Sequence, residues 1–423
     1  MRKHHSPTGP VTACLLVQMC VGIIYLWSVF NLPVTEAFDM TNAAGSMVSS
    51  YMLFAFVLGC LVGGIINDHR GPRFTITIGV LLFGFGVGST GILTRESAPL
   101  INVTYAMFGG LGSGFGYTAC MNCIQKWFPT KRGFASGLAA AAFGFSTVVF
   151  TPLSRWLMDC FTDAGTGLVN FRPVFFLLGG LFLVLGLAAS LFVHLPEADS
   201  PQALAAEQAG PGRTHSVYPD TLNAKMVVRT APFWCIFFTI FFSASTWTLV
   251  LPMISSLGVM RGLSLTAATI TVSFTGIVNT VGRLVLASLS DKIGRRATMT
   301  ALSCLTIIGA LLLTFIKGPG YICAIMLIAF AYGGPGPLAG TFAVDFFGAK
   351  NSARNFGLIT LSLGFSSVVC NMISTWLLRG SEVATFIMAA AMAAVPIGLM
   401  ILLRRYEETE RARTESSTAI FDG

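Results

Sequence analysis

An all-α membrane protein, with twelve transmembrane helices in two pseudo-symmetric six-helix halves, is the fold class that three observations predict. First, 54% of the 423 residues are hydrophobic and only 10% are charged, whereas soluble chains carry about 25% charge; mean hydropathy is +0.75. Second, the apolar residues gather into runs of roughly 20, the length that crosses a hydrocarbon core as a helix. Third, one charged turn motif recurs 223 residues apart. This leaves no room for a large soluble catalytic domain, so function is expected among the helices.

The first run, 11–33, follows the basic MRKHHSPTGP and lacks a small-residue cleavage site, so it is expected to be retained as a span. Spans 2 to 6 are read at 47–66, 75–93, 100–123, 134–154 and 174–193, each bounded by charges and turn residues. Pro196 to Pro232 is the only long polar stretch before the tail and reads as a flexible linker. Spans 7 to 12 follow at 233–257, 265–289, 297–316, 321–344, 356–378 and 383–403. The expected organisation is therefore an N-terminal half 1–195, a cytosolic linker 196–232, a C-terminal half 233–405 and a cytosolic tail 406–423.

Charge distribution sets the expected orientation. With both termini in the cytosol, that face holds 19 Lys and Arg and the opposite face six (Arg95, Arg155, Arg172, Arg261, Lys317, Arg379). This satisfies the positive-inside rule. The net charge of +8 thus belongs to loops of a multi-pass protein of the cell membrane and needs no nucleic-acid partner; the lipid bilayer is the partner, and a monomer is expected. The ten cysteines lie nearly all in apolar runs, so no disulfide framework follows, and Cys120/Cys123 reads as helix packing.

Enzymes fit poorly. The histidines, at 4, 5, 69, 194 and 215, avoid the middles of spans, and no H-E-x-x-H or G-x-S-x-G occurs. Gly109, Gly110, Gly112, Gly114 and Gly116 follow no strand, so they read as close helix packing rather than a nucleotide loop. No cofactor or metal is called for. Gly333-Gly-Pro-Gly-Pro337 is expected to bend or break span 10, because two prolines remove helix hydrogen bonds; the bend is either a candidate gate or a static kink.

The two halves echo each other at their turns. Gly64, Asp68, Gly71 and Arg73 follow span 2, and Asp291, Gly294 and Arg295-Arg296 follow span 8, both reading D-x-x-G-x-R. Glycine permits the tight turn, and the Asp and Arg are expected to pair at helix ends and hold one conformation closed. A second echo sets Phe128-Pro-Thr-Lys131-Arg-Gly133 against Phe347-Gly-Ala-Lys350 to Gly357. Repeated six-helix halves are the architecture of carriers that rock around a midplane site.

At these residues the chain resembles the major facilitator superfamily, whose loop between its second and third helices reads G-x-x-x-D-x-x-G-R-[KR]; here Pro72 replaces the first basic residue and Arg73 keeps the second. Tyr25-Leu-Trp27 followed by Pro33, Met121-Asn122 to Gly137, Arg229-Thr-Ala-Pro-Phe-Trp234, Ser290-Asp291-Lys-Ile-Gly294-Arg295 and Ser352-Ala-Arg354-Asn355-Phe-Gly357 are similar to the oxalate:formate antiporter group, related in fold to monocarboxylate porters. The resemblance implies a carrier of small organic anions. It implies a cavity cation at Arg283 in helix 8, whereas the helix 11 lysine of oxalate exchangers falls at Leu363, and it implies aromatic cage positions at Tyr25, Trp27, Tyr117 and Tyr332. Gly336 stands in place of a further helix 10 tyrosine.

Arg283 is also singled out without any resemblance. It lies eight residues before Asp291, about 12 Å into the span at 1.5 Å per residue, where arginine costs at least ~2.5 kcal/mol. None of the 18 acidic residues lies in the middle of a span. Arg283 is therefore expected to face a water-filled cavity and clamp a carboxylate that comes and goes, its planar fork matching the carboxylate with two parallel bonds. Asn279, one turn earlier, is expected either to share its face and orient it or to serve as a plain packing residue. One cavity cation suits a monocarboxylate such as formate, lactate or pyruvate. Closing over an arginine–carboxylate pair is expected to cost less than closing over the cation alone, which favours anion exchange. The alternatives are a proton-coupled monocarboxylate symporter, an oxalate-type dicarboxylate exchanger, and an anion channel or receptor.

Overall fold

The computed structural model describes residues 7–22, 26–163, 165, 169–197, 217–218, 224–250, 254–316, 318–373 and 381–421. Among them helix dominates, and the only β pairing is an isolated bridge between Thr162 and Val169. Lipid offers no hydrogen bonds, so a spanning backbone must satisfy its own polar groups, and a helix does so within one segment. Ten described helices are long and apolar enough to cross a membrane. With Thr8–Val21 and the part-helix Gly109–Trp127 they occupy all twelve expected span positions, so the fold class holds.

Local chemistry sets several boundaries. Span 2, Asn42–Arg70, starts where the Thr41 hydroxyl accepts the Ala44 N–H at 3.2 Å. Span 8, Leu265–Ile293, starts where Ser264 does the same for Ala267 at 3.2 Å. The two motif glycines end spans 2 and 8 alike: Gly71 has φ +82° and Gly294 φ +91°, and the next helices begin directly at Pro72 and Arg295. A Cβ at either would meet no atom within 4 Å, so glycine is required by conformation rather than by space. Arg261, just beyond span 7, donates to the carbonyls of Leu313 (2.7 Å) and Ile316 (2.5 Å) at the end of span 9.

Span 4 opens with a π-helical turn, Asn102–Phe108, before Gly109–Trp127, and span 10 consists of Tyr321–Tyr332 and Pro335–Phe347. In span 1 the described helices are Thr8–Val21 and Trp27–Ala37, and in span 7 Ala231–Val250 and Ile254–Met260. Span 12 lies within a longer helix, Glu382–Phe421, that continues through the tail, helped by the Arg404–Glu408 pair one turn apart at 2.7 Å.

Burial separates inner from lipid-facing surfaces. In Gly109–Trp127 nearly every residue is enclosed, and the glycine series is packing surface: a Cβ at Gly110 would lie 2.5 Å from the Met52 carbonyl, and one at Gly112 2.5 Å from that of Gly79. Conversely, Phe85, Val184 and Phe315 are well exposed, as lipid-facing side chains are.

The chain forms two compact units: Met1–Pro129, Ala139–Ala206 and Phe356–Leu358 in one; Thr130–Leu138, Glu207–Asn355 and Ile359–Gly423 in the other. The start of span 5 therefore belongs to the second unit. So do Val217 and Tyr218 of the linker, whose N–H groups donate to the carbonyls of Asp345 (3.2 Å) and Phe346 (2.9 Å). Tyr218 also stacks on Phe347 at 6.0 Å. This part of the expected flexible linker is docked.

Candidate functional site

Within the second unit, span 8 carries Arg283 on an unbroken helix. Its Nε donates to Asn279 Oδ1 at 3.0 Å, one turn earlier, as the i, i+4 spacing leads one to expect. Asn279 is buried, and its Nδ2 donates to the Ala329 carbonyl in span 10 at 3.1 Å. Two glycines let the spans meet here. A Cβ on Gly282 would enter the Phe330 carbonyl, and one on Gly333 would lie 2.6 Å from both the Arg283 nitrogen and the Asn279 carbonyl. A third, Gly137 at the start of span 5, faces the Arg283 carbonyl, where a Cβ would lie at 2.8 Å. The arginine backbone is thus clasped on two sides by residues without side chains.

Span 10 breaks beside this crossing, at the predicted Gly-Gly-Pro-Gly-Pro run. Gly333 and Gly334 turn their N–H groups to the carbonyls three residues back, at 3.1 Å each, and a new helix starts at Pro335. Tyr332, the last residue before the break, stacks on Trp247 of span 7 with ring centroids 5.4 Å apart and planes 18° apart. Trp247 is a residue that sequence reasoning passed over, since an aromatic in an aromatic-rich apolar run carries no distinguishing signal.

The remaining aromatic positions lie in the first unit. Tyr117 sits in a ring cluster with Phe143 (4.8 Å), Phe56 (5.5 Å) and Phe356 (5.9 Å). Trp27 is 1% exposed; its indole N–H donates to the Gly45 carbonyl at 2.7 Å, and its ring lies 5.0 Å from Tyr105. In this arrangement Trp27 is a packing residue. Tyr25 lies outside the described residues. Leu363 is half-buried in span 11.

The gating motif residues divide. Asp291 accepts the Gly133 and Phe134 N–H groups at 2.9 and 2.8 Å, so its carboxylate caps the helix Arg132–Cys160 at its positive end. Arg295 bridges Asp291 (2.6 Å) and Asp345 (3.0 Å), and Arg132 reaches the other Asp345 oxygen at 3.1 Å. Asp345 and Arg132 were missed as partners, because the contact joins residues 213 apart. Arg296 pairs with Glu407 at 2.8 Å. In the first copy of the motif Asp68 is half-buried, Gly64 is buried one turn before it, and Arg73 is exposed. Nearby, Asn67 donates to Asn122 at 3.2 Å.

Comparison with known proteins now places the chain. The family model described as Major Facilitator Superfamily matches residues 12–368. The chain belongs to the major facilitator superfamily. Among curated relatives, the oxalate:formate antiporter of Oxalobacter formigenes is 28% identical over 85% of this chain and 81% of its own length. Apicoplast pyruvate carrier 1 of Toxoplasma gondii is 25% identical over 86% and 83%. Among solved structures, the superfamily transporter FucP in the outward conformation superimposes with a TM-score of 0.73, at 14% identity, over 93% of this chain and 98% of that one. The chain is thus a multi-pass membrane transporter of the superfamily, and its relatives are transporters rather than enzymes.

Superfamily membership makes the span 8–span 10 crossing testable. Gly282→Val is expected to overpack against the Phe330 carbonyl at a cost of about 1–3 kcal/mol. Thermal unfolding of the purified protein should show this as a lowered midpoint, with transport falling in parallel. An unshifted midpoint would mean that the two backbones do not meet at Gly282.

Proposed function

We propose that this transporter carries small organic anions, with monocarboxylates preferred, by alternating access in which anion-for-anion exchange is the favoured mode. The observation that supports this reading most strongly is Arg283, held through Nε by Asn279, deep in span 8 and next to the break in span 10. A guanidinium is a planar fork of donors, the geometry that carboxylates match with two charge-assisted bonds. Tyr332, Tyr25, Trp27 and Tyr117 are the aromatic positions assigned to the walls of the path, Trp27 being enclosed in the present arrangement. Asp291, Gly294 and Arg295, with their counterparts Gly64, Asp68, Gly71 and Arg73, are assigned to gating. The names of the two relatives, an oxalate:formate antiporter and a pyruvate carrier, point to the same substrate class.

Monocarboxylates are favoured because one cavity cation neutralises one carboxylate, while a second carboxylate would be desolvated at a cost of several kcal/mol. The antiporter relative keeps a second reading open, that of a small dicarboxylate whose far charge stays in water. Exchange is favoured because the loaded carrier encloses a neutral arginine–carboxylate pair, which costs less than enclosing an isolated charge, and because one relative bears the name of an antiporter.

One experiment tests both points. Purified protein in liposomes is given labelled formate, pyruvate or oxalate, with and without unlabelled anion inside. Monoanions are expected to be preferred over oxalate by at least about tenfold, equivalent to 1.4 kcal/mol, and preloading should speed uptake by a similar factor. Oxalate uptake that formate and pyruvate fail to inhibit would overturn the monoanion reading. Accumulation driven by a pH gradient and indifferent to preloading would replace exchange by proton symport.

A further inference from the structure

We propose that Asn279 is a positioning residue that couples the charge on Arg283 to the break in span 10; this rests on Arg283 as the anion anchor. In a continuous α-helix each carbonyl accepts the N–H four residues on, so the Ala329 carbonyl would receive the Gly333 N–H. Here that N–H donates to Phe330 instead, at 3.1 Å, and the Gly334 N–H to Ala331, also at 3.1 Å. Pro335 and Pro337 have no N–H for the carbonyls four residues before them. The Ala329 carbonyl, passed over by its helical donor, takes Asn279 Nδ2 at 3.1 Å, while Oδ1 of the same carboxamide takes Arg283 Nε at 3.0 Å. Asn279 is only 7% exposed, so water does not readily replace either bond.

The consequence is that the direction of one carbonyl depends on the state of span 10. With span 10 broken, Ala329 is held by Asn279. With span 10 continuous at this point, the Gly333 N–H draws the Ala329 carbonyl along the helix axis, which turns it from Asn279 and weakens the bond made by the carboxamide. Its other end bears on the guanidinium, so an anion that draws Arg283 forward changes how firmly Asn279 holds the broken form. Gly282 and Gly333 keep the two backbones close enough for a single side chain to bridge them. A ligand shifts a two-state element only through a contact that differs between the states, and this carboxamide is such a contact. Trp247, stacked on Tyr332 immediately before the break, is a built-in reporter of it.

The test compares wild type, Asn279→Leu, Asn279→Gln and Arg283→Lys in liposomes exchanging formate and pyruvate, with Trp247 emission assigned by subtraction of a Trp247→Phe protein. Asn279→Leu is expected to lower the maximal exchange rate about tenfold, the rate equivalent of one lost hydrogen bond. Its half-saturating anion concentration should stay within about threefold, a change too small for loss of a charged contact. Asn279→Gln, which retains donor and acceptor, should recover part of the rate, and Arg283→Lys should instead raise the half-saturating concentration. Without any anion, Asn279→Leu should already shift Trp247 emission, because Tyr332 moves when Ala329 regains its helical donor. If Asn279→Leu raises half-saturation as Arg283→Lys does and leaves both the maximal rate and the emission unchanged, Asn279 merely orients the guanidinium and the coupling is refuted. Should wild type exchange neither anion, the anion reading fails by itself; a shifted Trp247 emission in anion-free Asn279→Leu then still supports the coupling, and an unshifted one overturns it.

Discussion

Arg283→Gln is expected to abolish carboxylate binding in a protein that still folds and inserts. The loss of a paired, desolvated charge contact is worth roughly 2–5 kcal/mol, a fall in affinity of about thirtyfold to several thousandfold. Glutamine retains length and polarity but has neither the charge nor the fork. Arg283→Lys keeps the charge as a compact ammonium without the planar donor pair, so weak transport at raised half-saturation is expected. The span 8 scaffold explains why folding should survive: Gly137 and Gly333 contact the Arg283 backbone, not its guanidinium. Equilibrium binding and uptake, set beside size-exclusion behaviour and thermal unfolding, separate the two effects. A well-folded Arg283→Gln protein with normal uptake would move the site elsewhere.

The second large effect is expected at Asp291. Its carboxylate serves two backbone N–H groups at the head of span 5 and the Arg295 guanidinium at once, with 13% of the side chain exposed. Asp291→Ala leaves Gly133 and Phe134 without their acceptor and Arg295 with Asp345. Removing one member of such a partly enclosed cluster costs about 3 kcal/mol. The unfolding midpoint of purified Asp291→Ala should fall well below that of wild type, with Asp291→Asn between them because a carboxamide oxygen can still accept one N–H. A double-mutant cycle with Arg295→Ala should show strong non-additivity, as expected within one network. Additive effects would mean that the two side chains do not act together.

Much of this was legible in the chain because membrane spans are dictated by length and hydropathy, and because arginine at depth is costly enough to demand a reason. Asn279 was found by helical spacing, Gly71 and Gly294 by a turn that only a positive φ can make, and the span 10 break by its prolines. The close approach of spans 1 and 5 was not legible: a Cβ on Gly22 would lie 2.7 Å from that of Ser146, and a glycine in an apolar run does not say which helix packs against it. The π-helical entry to span 4 leaves no local signature either. Asp345 and Arg132 looked like ordinary loop charges, since no local rule pairs residues so far apart in sequence. Trp27 shows the converse limit: a motif can mark a position, but the burial of that ring and its bond to Gly45 depend on a neighbouring helix.

The uninterrupted helix Glu382–Phe421 has a practical meaning for imaging. At 1.5 Å per residue its 40 residues extend about 60 Å, roughly twice the thickness of the hydrocarbon core, and the Arg296–Glu407 pair tethers it to the start of span 9. A small rigid protein joined to the end of this helix in continuous register would stand outside the detergent belt as a fixed landmark. Particles could then be aligned on it, and the states of the transport cycle sorted image by image.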